Sequence, residues 1–281
     1  MKIAFATVVQ LGLSCIEEIY RIGGELELLI TLEDERAKHK SGRIYLDEFS
    51  NKHNIPLVKI ENINQAEVIN ALKEKDIDWL FIIGWSQIAK KELLDTPKLG
   101  CLGMHPTLLP MGRGRAAIPW AIIKGLEKTG VTMFKLDEGV DTGLVLGQVE
   151  ISIEERENAT TLYKKVNSAH ITLMEKYWND IVNNNVTLEK QNESLATYWE
   201  GRQAEDGRIS NQMTCLEADR LVRAVTKPYP GAFYEDNNKK IIIWTAKTAT
   251  GEAVDESISI KLKDGYIIPI DYEIEILEVV Q

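Results

Sequence analysis

Hydrophobic and polar positions alternate in blocks along the first half of the chain. Lys2 to Val9 is a β-rich run. Ser14-Cys15-Ile16-Glu17 then has the Ser-x-x-Glu form of a helix-capping box, which predicts a helix from there to about Gly23-Gly24. Glu25 to Leu32 reads as a strand, Ser41 to His53 as a helix and Ile55 to Ile60 as a short strand. Asn64 to Lys75 carries Ala66, Ile69, Ala71 and Leu72 at helical spacing. Every position from Trp79 to Ile83 is apolar, as in a strand buried on both faces. Gly100 to Met104 looks similar. Ala116 to Lys124 reads as a helix, and Gly130 to Leu136 and Leu144 to Ile151 as strands. This alternation predicts an α/β fold, Rossmann-like, with a mostly parallel sheet and helices on both faces.

Thr160 to Val182 is the strongest helix, with Leu162, Val166, Ala169, Leu173, Tyr177 and Ile181 at three- and four-residue steps. Asn183-Asn184-Asn185 ends it. Glu189 to Ser210 is polar and loop-like, and Leu216 to Val225 is again helical. From Phe233 the pattern changes to short strands at Lys240–Thr245, Ser257–Lys261, Tyr266–Ile270 and Glu273–Val280. The expected organisation is one domain over 1–203 and a small β-rich domain, OB-like, over 204–281.

Composition narrows the function. The 281 residues are 44% apolar and 27% charged, which is ordinary for a globular protein. The formal charge is −10 and no long basic run stands out, which argues against nucleic acid as a partner. Ile3 to Val9 is too short for a secretory core, and the longest apolar run is far below a membrane span. Cys15, Cys101 and Cys215 are widely spaced and form neither a zinc pattern nor a disulfide framework, so a reducing cytoplasm is the expected location. There is no G-x-G-x-x-G after the first strand, no P-loop and no G-x-S-x-G elbow.

The candidate chemistry sits in Gly100 to Arg115. A buried strand ends at Met104-His105, then Pro106 and Pro110 bracket a Thr-Leu-Leu step. Ligands of open α/β sheets bind at the carboxyl ends of strands, and a histidine there is placed for proton transfer. A histidine at a strand end can equally serve structure. Arg113 and Arg115 can hold an anionic group or be solvated turn residues. In Leu136 to Gly143, Asp141 can cap its own turn or, facing His105, orient the imidazole.

Taken together, His105-Pro-Thr-Leu-Leu-Pro, Arg113-Gly-Arg, Thr129-Gly-Val-Thr and Asp137 to Gly143 with Asp141-Thr-Gly resemble the formyltransferases that use N10-formyltetrahydrofolate. That family includes methionyl-tRNA, glycinamide ribonucleotide and amino-sugar formyltransferases. The resemblance extends to Ile82-Ile-Gly-Trp-Ser-Gln-Ile88, Glu205-Asp-Gly-Arg-Ile209, Val222-Arg-Ala-Val and Pro228-Tyr-Pro-Gly-Ala-Phe233. It covers essentially the whole chain and is strongest over 79–151.

The resemblance implies a catalytic set of His105, Asp141 and the position of Gly103, where the family carries an Asn that helps hold the oxyanion. One such donor is worth roughly 10²–10³ in rate. It also implies a folate cleft at Trp85, Ser86, Gln87 and Ile88, closed by Gly139 and Val140, with no metal and no covalent intermediate. Arg113, Gly114, Arg115 and the linker residues Tyr198, Trp199 and Arg202 are the candidates for binding the acceptor.

Among acceptors, tRNA needs an electropositive path. Residues 204–281 instead hold nine Lys and Arg against fourteen Asp and Glu, a net of −5. The second domain argues against the one-domain glycinamide ribonucleotide branch. The expected substrate is therefore a dTDP- or UDP-linked 3- or 4-amino sugar destined for a surface polysaccharide such as lipopolysaccharide. Methionyl-tRNA formylation is the alternative. A folate-binding protein impaired by Gly103 is the alternative of another class. A homodimer is a family-based expectation.

Overall fold

The computed structural model describes residues 1–37, 43–236, 238–250 and 258–277. By internal contacts the chain divides into two units, one of residues 1–114, 130–151 and 165–198, the other of 115–129, 152–164 and 199–281.

In the first unit, strand β1 (Ile3–Ala6) runs into helix α1 (Gln10–Arg21), then β2 (Leu28–Leu32), the short α2 (Asp34–Ala37) and α3 (Asp47–His53). β3 (Leu57–Ile60), α4 (Ala66–Glu74), β4 (Trp79–Ile83), α5 (Lys91–Leu94) and β5 (Gly100–His105) follow. The two-residue β6 (Arg113–Gly114) precedes α6 (Ala117–Ile123), which belongs to the second unit. β7 (Lys128–Lys135), β8 (Val145–Ser152), α7 (Ala159–Val182) and β9 (Tyr198–Trp199) complete this part of the chain.

The main sheet has the order β3-β2-β1-β4-β5-β7-β8. The five strands from β3 to β5 are parallel, and β7 joins β5 antiparallel, with His105 opposite Thr132. β1, β4 and β5 are buried at every position, which explains their near-continuous apolar runs. Phe5 and Phe81 stack between neighbouring strands with ring centroids 5.4 Å apart. The strand order reverses between β1 and β4, so loops at the carboxyl ends of β4 and β5 flank the place where such sheets bind ligands.

In the second unit, α8 (Cys215–Val225) packs against an antiparallel sheet of order β10-β11-β13-β12: β10 (Ala232–Asp236), β11 (Lys239–Ala249), β12 (Ile260–Lys261) and β13 (Tyr266–Ile276). The mostly parallel α/β fold with an antiparallel C-terminal sheet is as the pattern predicts. Among the described residues no helix is long and apolar enough to cross a membrane.

Among the described residues three element assignments change, one of them the helix predicted over Ser41–His53, which begins only at Asp47. α1 begins at Gln10, not at a Ser14 cap. Ser14 is buried inside the helix and accepts a hydrogen bond from Gln10 at 3.1 Å. The helix starts early because Leu11 and Gly12 already dock; a Cβ on Gly12 would lie 2.0 Å from Thr7 Oγ1. A capping box forms instead at α8, where Thr214 and Glu217 each take the other's backbone N–H. The two strands predicted over Tyr266–Val280 are one strand through Ile276, because register shifts that pass over Trp244 on β11 and Ile270 on β13 keep the two strands paired through the irregularity at Pro269–Asp271. Ser41, Gly42, Ser257 and Val279–Val280 lie outside the described residues.

Candidate active site

His105 is the last residue of β5 and is 8% exposed. Its Nε2 lies 2.8 Å from the carbonyl of Gly112. A carbonyl only accepts, so Nε2 carries a proton, and Nδ1 is the ring nitrogen left for proton exchange. Nδ1 faces Asp141 Oδ2 at 3.5 Å. That same oxygen accepts the Gly114 N–H at 2.8 Å. Asp141 takes φ of 55°, in the left-handed region that Asp tolerates better than most residues. Its turn is built by Asp137, which accepts from Gly139 N at 3.1 Å and Thr142 Oγ1 at 2.7 Å. Gly143 is required here, since a Cβ would stand 1.7 Å from the Lys135 carbonyl.

The loop after His105 is latched by residues that its own motif does not contain. Thr132 Oγ1 donates to Thr107 O at 2.7 Å and accepts from Leu109 N at 3.0 Å. Gln148 Nε2 donates to Leu109 O at 2.8 Å and to Thr132 Oγ1 at 2.9 Å. Gly130 leaves room for Leu108, whose Cδ2 would be 2.3 Å from an added Cβ. The Thr129-Gly-Val-Thr run thus seats the Thr-Leu-Leu step. Thr132 and Gln148 were not among the sequence candidates, and only the motif's Thr132 gave any signal.

Gly103 lies two residues before His105, on the same face of β5. A Cβ there would meet Leu136 Cδ2 at 2.7 Å and Leu136 Cγ at 3.3 Å. Leu136 therefore fills the space beside the histidine into which a side chain at 103 would grow.

Arg113 corrects the expectation of an anion-binding pair of arginines. Its side chain is fully buried and all five of its N–H groups are used. Nε and Nη2 donate to Gln191 Oε1 at 3.2 and 2.8 Å, Nη1 and Nη2 to the Glu193 carboxylate at 2.8 and 2.6 Å, and Nη1 also to Tyr198 Oη at 2.8 Å. Arg113 in turn holds the Glu193 carboxyl below the usual carboxylate range. No donor is left for a ligand, and the Tyr198 hydroxyl is engaged too.

In the second unit, Arg202 donates to Asp206 O at 2.6 Å and lies 4.9 Å over the Trp120 ring, and burial lowers its pKa. Trp199 accepts the Arg115 N–H through its carbonyl at 3.1 Å. Arg115 is exposed.

The Trp85 to Ile88 segment follows β4 and is tied to the 61–64 loop. Gln87 Oε1 accepts from Trp85 Nε1 at 3.1 Å and from Ile63 N at 2.9 Å, and its Nε2 donates to Glu61 O at 2.9 Å. Ile88 O accepts from Asn64 at 2.9 Å. Trp85 is half-buried against Val8 and Leu32. The polar ends of Trp85 and Gln87 are therefore engaged in holding the loop. Ile88 and Val140 are 71% and 48% exposed.

A second histidine, in no sequence motif, is buried in the first unit. His170, on α7, is buried, and its Nδ1 donates to Val166 O at 2.8 Å. Burial, with the nearby charge of His105, pushes its pKa down to about 4.

The formyl transferase family matches residues 30–176, and the formyl transferase C-terminal domain matches residues 202–278. The chain belongs to the formyl transferase family and is a formyl-transferring enzyme. It is 32% identical to methionyl-tRNA formyltransferase of Clostridioides difficile (strain 630), over 88% of this chain and 80% of that one. It is 33% identical over 87% of its length to the bifunctional polymyxin resistance protein ArnA of Wigglesworthia glossinidia brevipalpis, of which it spans 37%. Its fold matches the N-formyltransferase of Helicobacter canadensis in complex with folinic acid and dTDP-3-aminofucose, with a TM-score of 0.70, 20% identity and coverage of 97% and 100% of the two chains.

Proposed function

We propose that this enzyme moves a formyl group from N10-formyltetrahydrofolate to the amine of a dTDP- or UDP-linked 3- or 4-amino sugar. The observation that carries the reading is the His105–Asp141 pair at the carboxyl end of β5, with Nδ1 facing Oδ2 and Nε2 committed elsewhere. The neutral amine attacks the formyl carbon, and its proton passes to the Asp141–His105 pair. His105 Nδ1–H then meets the charge on the tetrahedral oxygen. The bond from carbon to N10 breaks, and tetrahydrofolate leaves with a proton on that nitrogen. Gly103 supplies no side-chain donor, so His105 takes a larger share of this stabilisation.

The folate lies against Trp85 to Ile88 on one side and Gly139-Val140 on the other. Because the Trp85 and Gln87 side chains are already bonded, the pterin is recognised through backbone groups. Arg115, one residue after the Gly114 that holds Asp141, meets the sugar diphosphate. Residues 1–203 form the transfer domain, and 204–281 the accessory one.

The acidic C-terminal segment, at −5, favours a small nucleotide sugar over a tRNA. The Clostridioides relative keeps methionyl-tRNA as the second reading. Incubation with N10-formyltetrahydrofolate and a panel of dTDP- and UDP-amino sugars, alongside methionyl-tRNA, separates the two. Sugar turnover supports the proposal; formylation of methionyl-tRNA alone replaces it.

A further inference from the structure

We propose that Gln191 is a positioning residue that sets the Asp141 carboxylate against His105, an inference that rests on the catalytic reading of that pair. Gln191 is half-buried in the segment after α7, fifty residues along the chain from Asp141. Its carbonyl oxygen accepts from Arg113 Nε and Nη2. Its amide nitrogen donates to Asp141 O and to Gly143 O, both at 2.8 Å. The orientation is forced, because a flipped amide would set N–H against guanidinium N–H and oxygen against two carbonyls.

The whole capacity of the amide is thus spent between two elements of the site. On one side is Arg113, whose neighbour Gly114 donates its N–H to Asp141 Oδ2. On the other is the turn that carries Asp141 in a left-handed conformation. The aspartate is therefore clamped twice: by its carboxylate through Gly114, and by its own main chain through Gln191. Arg113 is common to both clamps. A simple packing role would not require one end of the amide on Arg113 and the other on the turn that carries Asp141. A shift of the turn by about 1 Å suffices to lose about 10² in rate.

Gln191→Glu is the discriminating variant. It keeps acceptors for Arg113 but turns an oxygen toward the carbonyls of Asp141 and Gly143. With N10-formyltetrahydrofolate and dTDP-3-aminofucose as probes, kcat is expected to fall about 10²-fold and the donor KM to stay within about twofold. On an Asp141→Asn background the same change is expected to cost less than about threefold, because the charge being positioned is already gone.

Unchanged kcat in a folded Q191E enzyme, or equal losses on both backgrounds, overturns the inference. Wild-type turnover in Asp141→Asn itself would instead overturn the catalytic reading. A readout that needs no acceptor is the ring 15N spectrum of His105, expected to move in Q191E; unmoved signals contradict the proposal. Should Q191E fail to fold, Gln191→Asn, one methylene too short to reach both sides, is expected to give the same split between kcat and KM.

Discussion

His105 Nδ1 and Asp141 Oδ2 stand 3.5 Å apart, and that oxygen is the one that accepts the Gly114 N–H. The oxygen that faces the imidazole is itself anchored by a backbone N–H, so its charge is held in place when the ring gains a proton. Asp141→Asn keeps an oxygen for Gly114 and removes the charge. Turnover is expected to fall about 10²–10⁴-fold, the usual worth of positioned acid–base chemistry. Steady-state kinetics beside a thermal melt check this; a fall in Tm in step with activity would assign Asp141 to structure.

Gly103→Asn tests whether the site can accept the family's amide. The new Cβ would lie 2.7 Å from Leu136 Cδ2, so Leu136 must move. Overpacking of this kind costs about 1–3 kcal/mol. The single variant is expected to melt lower and to gain no rate, and adding Leu136→Ala is expected to relieve the clash. Increased turnover from Gly103→Asn alone would mean that Leu136 yields freely and the oxyanion geometry is intact.

The two arginines of the loop are expected to fail in opposite ways. Arg113→Lys leaves Gln191, Glu193 and Tyr198 short of partners and is expected to cost about 1.5–3 kcal/mol of stability. Arg115→Ala is expected to leave stability within about 0.5 kcal/mol. Its effect falls on the nucleotide sugar KM, raised about tenfold by the loss of one charge-assisted contact worth about 1.5 kcal/mol. Urea denaturation and Michaelis kinetics on both variants check the pair. A destabilised Arg115→Ala with unchanged KM would reverse the assignment.

Buried His170 predicts an acid-sensitive fold. Its pKa drops from 6.5 to about 4 on folding, so between those values the unfolded chain holds more protons. Stability is expected to be complete above pH 6.5, to fall as pH drops toward about 4, and to lose nothing more from this group below that. At about 1.4 kcal/mol per unit, the loss is on the order of 3 kcal/mol. Denaturant midpoints across this range check it. His170→Leu is expected to flatten the slope; an identical slope would place the acid sensitivity elsewhere.

What could be read from the chain follows from the range of the interactions. The apolar run Trp79–Ile83 and the stripe of Leu162, Val166 and Leu173 declare their elements locally, and α7 begins within one residue of its predicted start. The Ser14 box misled because a local cap signal lost to the docking of Gly12 on Thr7. His105 and Asp141 were both legible as candidates, since each lies in a short glycine- or proline-bounded motif. The clasp on Arg113 was not, because Gln191, Glu193 and Tyr198 lie 78 to 85 residues away. A burial of that kind is a property of the folded chain, and the charge of an isolated arginine conceals it. His170 was hidden for the same reason: helical spacing places it on a buried face without announcing what it faces.

In the proposed reaction, His105 carries the formyl transfer. The most direct measurement is the turnover number of His105→Ala with saturating N10-formyltetrahydrofolate and the best acceptor of the panel, beside circular dichroism to show that the fold is retained. With Gly103 supplying no second donor, turnover is expected to fall by at least about 10³-fold. A folded His105→Ala enzyme with an unaltered turnover number would contradict the account.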